Sequence, residues 1–244
     1  MRSAILYVLA LLAGAASADD FDSDGVRIHY VVQGEGEPVL LLHGLDSNAR
    51  LNWELPGILP ALAEEFRVVA PDQRGHGQSE RPEEDGAYGR KMVEDAVRLL
   101  DHLHVERAHV VGYSMGGLVA LRLAASHPDR VRSLVLGGMG WMKEGGFLQR
   151  FWEKAGGRRE GRAPEACVKG FAELAATEAE VEAIRAPGTV LVGDRDPVRR
   201  LYVDPLRRIR PDWPIETIPD AGHVDCIAKP EFRDGLLEFL RKAD

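Results

Sequence analysis

Five short runs of apolar residues, none of them alternating with polar residues, constrain the fold of this 244-residue chain most strongly. A strand buried on both faces reads as a continuous apolar run, which is the pattern of a parallel sheet covered by helices. The five runs are Val39–Leu42, Val68–Ala70, His109–Val111, Leu134–Leu136 and Val190–Val192. The segments between them carry apolar residues at helical spacing, as at Met92, Ala96 and Leu103. Strand alternating with helix predicts a doubly wound α/β fold with right-handed crossovers.

The segment Val26–Val32 differs from these runs because apolar and polar residues alternate along it. Such alternation is typical of a strand with one face in water. We expect this strand to form a hairpin at the edge of the sheet with the strand that follows Gly34 and Gly36.

The connection between the fourth and fifth runs is too long for a simple crossover. Its excess, residues 140–186, is rich in aromatic side chains and contains the basic loop GGRREGR. We interpret it as a small helical cap over one end of the sheet, inserted into a core of residues 19–139 and 187–244. In an alternative interpretation, it is a surface excursion whose aromatic residues pack on the core. These residues are Trp141, Phe147, Phe151, Trp152 and Phe171.

The stretch GYSMG places Ser114 between Gly112 and Gly116, where an apolar strand run gives way to an apolar helical segment. A strand–turn–helix junction of this G-x-S-x-G type exposes the serine hydroxyl at the C-terminal edge of a sheet, above a helix N-terminus. Serine becomes an effective nucleophile when a neighbouring base takes its proton. The motif predicts a catalytic Ser114, with a plain strand-to-helix turn as the alternative.

A base for Ser114 has to come from the eight histidines of the chain. If the base follows the serine, only His127 and His223 qualify. His127 ends the helix that begins at the serine, about 20 Å away at 1.5 Å per residue, so it is too distant. His223 lies in the loop IPDAGHVDC after a strand-like segment, and we predict that it is the base.

The acid that orients this histidine has two candidates in the segment VLVGDRDPV, Asp194 and Asp196. Asp196 lies further into the loop and can turn towards His223. Asp194 is expected to hydrogen-bond the backbone of the turn. We therefore favour Asp196 as the acid.

Acyl transfer also needs backbone N–H groups aimed at the oxygen that becomes negative. Met115, directly after the serine, supplies one such group at the start of a helix. The loop HGLDSN after the first apolar run supplies the other from Leu45. His43 precedes the serine and is expected to brace this loop instead of acting as the base.

Together these motifs resemble the α/β-hydrolase fold family, in the branch with a cap between strands six and seven. The resemblance rests on HGLDSN, DQRGHGQS (Asp72–Ser79), GYSMGG, GDRDP, and AGH followed by KPEF, in this order along almost the whole chain. It implies an eight-stranded, mostly parallel sheet with helices on both faces, and a Ser114–Asp196–His223 triad. It also implies hydrolysis without a metal or an organic cofactor, and it gives DQRGHGQS a structural role.

The function expected from this resemblance is hydrolysis of carboxylic esters of apolar small molecules through an acyl-enzyme. Other chemistry on the same triad stays open: C–C bond hydrolysis, lactone opening or thioester hydrolysis. A hydrolase-like ligand-binding protein is a less favoured alternative. A serine nucleophile disfavours the relatives that remove halide or open epoxides with an aspartate. The substrate pocket is expected to be lined by the cap residues Trp141, Phe147, Phe151 and Trp152.

The first 18 residues have the layout of a secretory signal: a basic residue, an apolar run, and small residues ending at Ala18. We expect cleavage after Ala18 and a secreted or periplasmic protein, with an uncleaved N-terminal anchor as the alternative. No stable membrane insertion is expected after cleavage. An oxidising compartment would permit a disulfide between Cys167 and Cys226, which the sequence does not decide.

The net charge of −8 argues against nucleic acid or an anionic membrane surface as the main partner. The expected partner is a small-molecule substrate. Neither cysteine has a neighbourhood typical of a zinc site, so no metal is expected. The oligomeric state stays open.

Overall fold

The computed structural model describes residues 17–155 and 161–243, and within them eight strands form one sheet. The strands are β1 (Ser17–Asp22), β2 (Arg27–Gln33), β3 (Pro38–Leu42), β4 (Arg67–Pro71), β5 (Ala108–Tyr113), β6 (Val131–Gly137), β7 (Gly188–Gly193) and β8 (Ile215–Ile218). Their order is β1-β2-β4-β3-β5-β6-β7-β8, antiparallel as far as the β2–β4 pair and parallel from β4 to β8. The predicted α/β fold with a mostly parallel sheet is confirmed, since each apolar run lies in one of the strands β3 to β7.

Helices cover both faces of the sheet, which is why these strands are apolar without alternation. The helices are α1 (Ile58–Leu62), α2 (Arg90–His102), α3 (Met115–Ser126), α4 (Phe147–Lys154), α5 (Glu165–Gly170), α6 (Glu178–Glu182), α7 (Asp204–Ile209) and α8 (Pro230–Ala243). In β3, Leu40 and Leu42 join the apolar cluster that contains α2 and α3. Val39 and Leu41 point to the other face and join the cluster that contains α1 and α8.

The predicted hairpin between the segment at 26–32 and the next strand is wrong. β2 pairs with β1 and β4, whereas β3 lies between β4 and β5 in the middle of the sheet. The reason is burial: Val39–Leu42 are all buried, and a strand of this kind needs cover on both faces, whereas most of β2 is partly exposed. The chain leaves β2 through Gly34, where φ is +80° and an added Cβ would lie 2.3 Å from the carbonyl oxygen of Phe66.

The long connection between β6 and β7 contains α4, α5, α6 and a 3₁₀ turn at Phe171–Leu174. Arg122 of α3 anchors it to the core, because its guanidinium lies 2.9 Å from a carboxylate oxygen of Glu180. Thr177 and Glu180 form a capping box at the start of α6, so the anchoring carboxylate lies on a well-defined helix end. The division into core and cap at 140–186 stays a prediction.

Residues 1–16, which carry most of the predicted secretory signal, lie outside the described residues, as do residues 156–160 of the basic loop. Ser17 and Ala18 belong to β1, where they pair with Val32 and Val31. The predicted cleavage point falls inside this strand, and cleavage there stays a prediction. Of the helices in the described ranges, none combines the length and the apolar character needed to cross a membrane.

Candidate active site

Ser114 stands at the sharp junction between β5 and α3, with φ 52° and ψ −116°. A positive φ is uncommon for a residue with a Cβ and marks local strain. The neighbouring glycines are sterically required. A Cβ on Gly112 would lie 2.1 Å from the carbonyl oxygen of Gly116, and one on Gly116 would lie 2.0 Å from that of Leu42. This close packing of α3 against β3 and β5 presents a half-buried Ser114 at the C-terminal edge of the sheet.

The structure brings Ser114, His223 and Asp196 together in one chain of hydrogen bonds. The Ser114 Oγ and the His223 Nε2 are 2.8 Å apart, and the His223 Nδ1 is 2.8 Å from the Asp196 Oδ2. The Asp196 side chain is fully buried, and that of His223 is 31% exposed. Because a carboxylate accepts, Nδ1 carries the proton and Nε2 is left to accept the serine hydroxyl. This arrangement can take a proton from Ser114.

The two aspartates after β7 point in different directions. The Asp196 Oδ1 accepts the backbone N–H of Val198 at 2.9 Å, which holds the carboxylate whose other oxygen meets the histidine. Asp194 accepts the backbone N–H groups of Asp220 and Ala221 at 3.1 and 3.0 Å. Those bonds, the one from Ala221 first, lower the pKa of Asp194. Asp194 therefore ties the loop after β8 to the loop after β7.

His43 is fully buried and holds the loop after β3. Its Nδ1–H donates to the carbonyl oxygen of Gly44 at 2.8 Å, while its Nε2 accepts the backbone N–H of Gln73 at 2.9 Å. Burial, reinforced by the nearby His76, lowers the pKa of His43 to about 3, so the ring is neutral at physiological pH. The C=O and N–H of one trans peptide point in opposite directions. By fixing the Gly44 carbonyl, His43 therefore also fixes the direction of the Leu45 N–H.

The two residues predicted to supply the oxyanion hole, Leu45 and Met115, are both close to the serine. Gly44 packs against Ser114, since a Cβ added to it would lie 3.4 Å from the serine Cβ, and Leu45 follows directly. Met115 is the first residue of α3, where a backbone N–H has no carbonyl partner within the helix. Both residues are near the nucleophile, and their role as donors stays a prediction.

The four aromatic residues predicted to line the pocket are two tryptophans with hydrogen-bonded indoles and two exposed phenylalanines. Trp141 is buried, and its indole N–H donates to the carbonyl oxygen of Ala176 at 2.8 Å. The Trp152 indole N–H donates to the hydroxyl of Tyr202 at 2.8 Å. Phe147 and Phe151 are 72% and 52% exposed, and they line a surface groove of about 360 Å³ whose lining does not include Ser114, Asp196 or His223. Trp141 thus holds the connection together, Trp152 ties it to the segment after β7, and the two phenylalanines face solvent. The role of these four residues as the pocket lining stays a prediction.

A polar cavity of about 860 Å³ lies beside the loop after β3, and its lining likewise does not include the triad residues. Asp46, which lines it, has φ 57° and accepts hydrogen bonds from the Arg162 side chain at 3.1 Å and the Ala163 N–H at 2.9 Å. These bonds tie the loop that carries Leu45 to the β6–β7 connection. Asp46 is not among the residues predicted from the sequence, where its charge within HGLDSN is the one signal for it.

Tyr113 was also missed. Its hydroxyl donates to the backbone carbonyl oxygen of His223 at 2.6 Å. The one signal for it in the sequence is its place directly before the serine. Cys226, near the same hydroxyl, is buried, and burial raises the pKa of its thiol to about 12. The structure does not join Cys167 and Cys226 in a disulfide. Among the described residues, no group of three or more His, Cys, Asp or Glu side chains is arranged to hold a metal ion.

Comparison with known proteins places these features in a family. The sequence pattern of a family described as alpha/beta hydrolase fold matches residues 37–169, more than half of the chain. A 2-hydroxymuconate semialdehyde hydrolase from a Pseudomonas species is 46% identical over 117 residues, which cover 47% of this chain and 40% of that protein. A soluble epoxide hydrolase from a Corynebacterium species is 41% identical over 113 residues, 46% of this chain and 38% of that protein. The chain thus aligns with less than half the length of these curated relatives.

Solved structures share the fold over almost the whole chain. A hydrolase from Pseudomonas aeruginosa has a TM-score of 0.74 at 25% identity, and the match covers 91% of this chain and 98% of that one. The family match includes the loop after β3 and the junction at Ser114, whereas Asp196 and His223 lie beyond it. The chain belongs to the α/β-hydrolase fold family.

Proposed function

We propose that this protein is a serine hydrolase that cleaves carboxylic esters of apolar small molecules through an acyl-enzyme. The observation that carries the proposal is the chain of two 2.8 Å hydrogen bonds from Ser114 through His223 to Asp196. Such a chain places a base within hydrogen-bonding distance of the serine hydroxyl, and a buried carboxylate orients that base. A protein that only binds a ligand has no need of this arrangement.

In the proposed reaction, the His223 Nε2 takes the proton of Ser114 as the Oγ attacks the ester carbonyl. The N–H groups of Leu45 and Met115 hold the oxygen that becomes negative, and Asp196 stabilises the imidazolium. His223 then delivers the proton to the leaving alcohol. Water, activated by the same histidine, attacks the acyl-enzyme, releases the acid and restores Ser114.

The identity of the nucleophile favours acyl transfer over epoxide opening or halide displacement. A carboxylate that attacks a saturated carbon forms an ester, which water can hydrolyse in a second step. A serine hydroxyl attacking the same carbon would form an ether, which a histidine and water do not cleave. Ser114 therefore requires a substrate with an acyl carbon, although one of the relatives is a soluble epoxide hydrolase.

The apolar character of the substrate is proposed from the side chains next to the serine. Leu45 and Met115 belong to an apolar cluster that continues through Met139 to Trp141. Met139 lies close to α3, because a Cβ added to Gly117 would be 2.6 Å from the Met139 Cβ. Since the predicted phenylalanines face solvent elsewhere, this cluster is the better support for an apolar acyl or aryl group.

Hydrolysis of a C–C bond next to a ketone is a second candidate. It is favoured by the 46% identity with a 2-hydroxymuconate semialdehyde hydrolase over 117 residues. An ester expels an alkoxide, which needs only a proton from His223. A C–C substrate expels a carbanion, so it has to carry its own conjugated group to stabilise that charge. The two candidates therefore differ in the substrates that they accept.

The test compares wild-type protein with Ser114→Ala on p-nitrophenyl esters of short, medium and long acyl chains and on a vinylogous diketone. Turnover of the esters should fall about 10⁴-fold or more in the variant, because the nucleophile is lost. Ser126→Ala is the matched control: this serine lies at the far end of the same helix, where its hydroxyl donates to the carbonyl oxygen of Arg122.

Each outcome of this comparison has a defined meaning. Serine-dependent turnover of the diketone without turnover of the esters would replace the esterase proposal by the C–C candidate. A folded wild-type protein that turns over neither class, or a Ser114→Ala variant as active as wild type, would overturn the proposed function.

A further inference from the structure

The residue before the nucleophile makes a contact that the proposed mechanism does not use. Tyr113 is the last residue of β5, and its hydroxyl donates to the backbone carbonyl oxygen of His223 at 2.6 Å. The side chain is almost fully buried, with 4% of Tyr113 exposed. Tyr113 is thus bonded to Ser114 through the backbone, and its side chain contacts the loop that carries the base His223.

The Tyr113 ring is held in a fixed slot. Its centroid is 5.7 Å from that of Phe232 in an edge-to-face arrangement. A Cβ on Gly137 would lie 2.7 Å from the Tyr113 Cδ2, and one on Gly138 would lie 3.3 Å from the hydroxyl oxygen. Because backbone and aromatic atoms surround the ring this closely, the hydroxyl has little freedom to leave the His223 carbonyl.

The loop that carries His223 is exposed at the base itself. The next residue, Val224, is 87% exposed, and the His223 side chain itself is 31% exposed. Asp196 holds the imidazole ring, and the Tyr113 hydroxyl holds the backbone of the same residue. The two bonds act on different parts of His223, so together they fix both the position and the orientation of Nε2.

We infer that Tyr113 is a positioning residue for the reaction, which locks the backbone of the base His223 to the strand that carries the nucleophile Ser114. The inference rests on the proposed function. It goes beyond the triad, because it makes the distance between the two reacting groups depend on a buried side chain outside the triad.

The hydroxyl remains a donor over the whole working range of pH. Burial raises the pKa of Tyr113 well above its usual value, with the neighbouring Cys226 acting in the same direction. The phenol therefore keeps its proton, and the bond to the carbonyl persists. Tyr113 holds the base without exchanging protons with it.

The test is Tyr113→Phe, which removes the hydroxyl and keeps the ring that fills the slot. Tyr88→Phe is the matched control, since Tyr88 is fully buried and its hydroxyl donates to the backbone carbonyl of Pro82 at 2.8 Å, away from the triad. In Tyr113→Phe, kcat should fall about 10- to 100-fold, with KM changed less than about twofold, because a displaced base slows the chemical step more than substrate binding.

Two further readouts separate positioning from a structural role. The rate at which an organophosphonate modifies Ser114 should fall in parallel with kcat in Tyr113→Phe and stay at the wild-type value in Tyr88→Phe. The low-field proton resonance of the Nδ1–H between His223 and Asp196 should broaden or shift only in Tyr113→Phe. Thermal unfolding of both variants shows how much stability each has lost.

Equal kcat in the two variants, or loss of kcat matched by loss of folded protein, would overturn the inference while leaving the proposed function intact. Ser114→Ala is measured in the same assay. If Ser114→Ala keeps wild-type activity, the proposed function is contradicted, and the inferred role of Tyr113 is contradicted with it.

Discussion

At the scale of single residues, two aspartates separated by one position have different tasks. Asp196 is buried and bonds His223, whereas Asp194 is exposed and holds the backbone of Asp220 and Ala221. Their chemical groups are identical. The difference comes from the turn after β7, which directs one carboxylate inwards and the other along the surface towards the loop after β8.

Asp196→Asn should lower kcat about 10⁴-fold, because an amide that donates to Nδ1 favours the wrong tautomer and leaves Nε2 unable to accept the serine proton. Asp194→Asn should lower kcat by less than about tenfold, since an amide oxygen can still accept one backbone N–H. Steady-state kinetics on one ester, with circular dichroism to confirm folding, compares the two. Similar losses in both variants would contradict the assignment of the acid.

At the scale of elements, the turn DQRGHGQS after β4 joins two neighbouring parts of the fold. The Asp72 carboxylate accepts the backbone N–H groups of Ala49 and Gln78, each at 2.8 Å. Arg74 forms a two-pronged ion pair with Asp95 of α2, with both N···O distances at 2.5 Å. The turn therefore links the loop after β3 to a helix on one face of the sheet, which agrees with the structural role expected from the sequence.

Asp95→Asn should reduce the free energy of unfolding by about 3–5 kcal/mol, because it leaves the buried Arg74 guanidinium without its counter-charge. Arg74→Met combined with Asp95→Leu should be less destabilising than the single change, since no charge is left buried. Asp101→Asn, which breaks a surface pair with Arg130, should change stability by less than about 1 kcal/mol. Urea unfolding of the three variants measures these differences, and an Asp95→Asn variant as stable as wild type would contradict the prediction.

At the scale of the whole molecule, stability depends on keeping two buried histidines neutral. His43 and His76 lie with their ring centroids 5.1 Å apart between the loop after β3 and the turn after β4. Burial is the main reason that the pKa of each is lowered, that of His43 to about 3 from an ordinary value of 6.5. Below pH 6.5 the unfolded chain therefore binds more protons at these two positions than the folded protein does.

Because the unfolded state gains these protons, the free energy of unfolding should fall as the pH is lowered from neutral to about 5.5, by roughly 1 kcal/mol for His43, with a further loss in the same direction from His76. Carboxyl groups with lowered pKa values, such as that of Glu180, titrate below this interval. Urea unfolding at the two pH values measures the change, and His104→Gln, at an exposed histidine, should leave it unaltered. Equal stability at both values would show that His43 and His76 are not buried in the neutral form.

The buried strands of the parallel sheet and the junction at Ser114 can be predicted from the amino-acid sequence alone. Burial on both faces leaves a continuous apolar run, as in Val39–Leu42, and the crowding at Gly112 and Gly116 excludes other residues there. Both signals are local. The apolar character of a strand reflects its burial, and the choice of glycine reflects the space next to its own backbone.

The partners of β2, the exposure of Phe147 and Phe151, and the bond between Tyr113 and His223 depend on how distant segments pack in the folded protein. An apolar or aromatic residue in the sequence shows that it can be buried, and it does not show which distant segment will cover it. A hydrogen bond between residues 110 positions apart exists only once the sheet has brought the ends of β5 and β8 to the same edge.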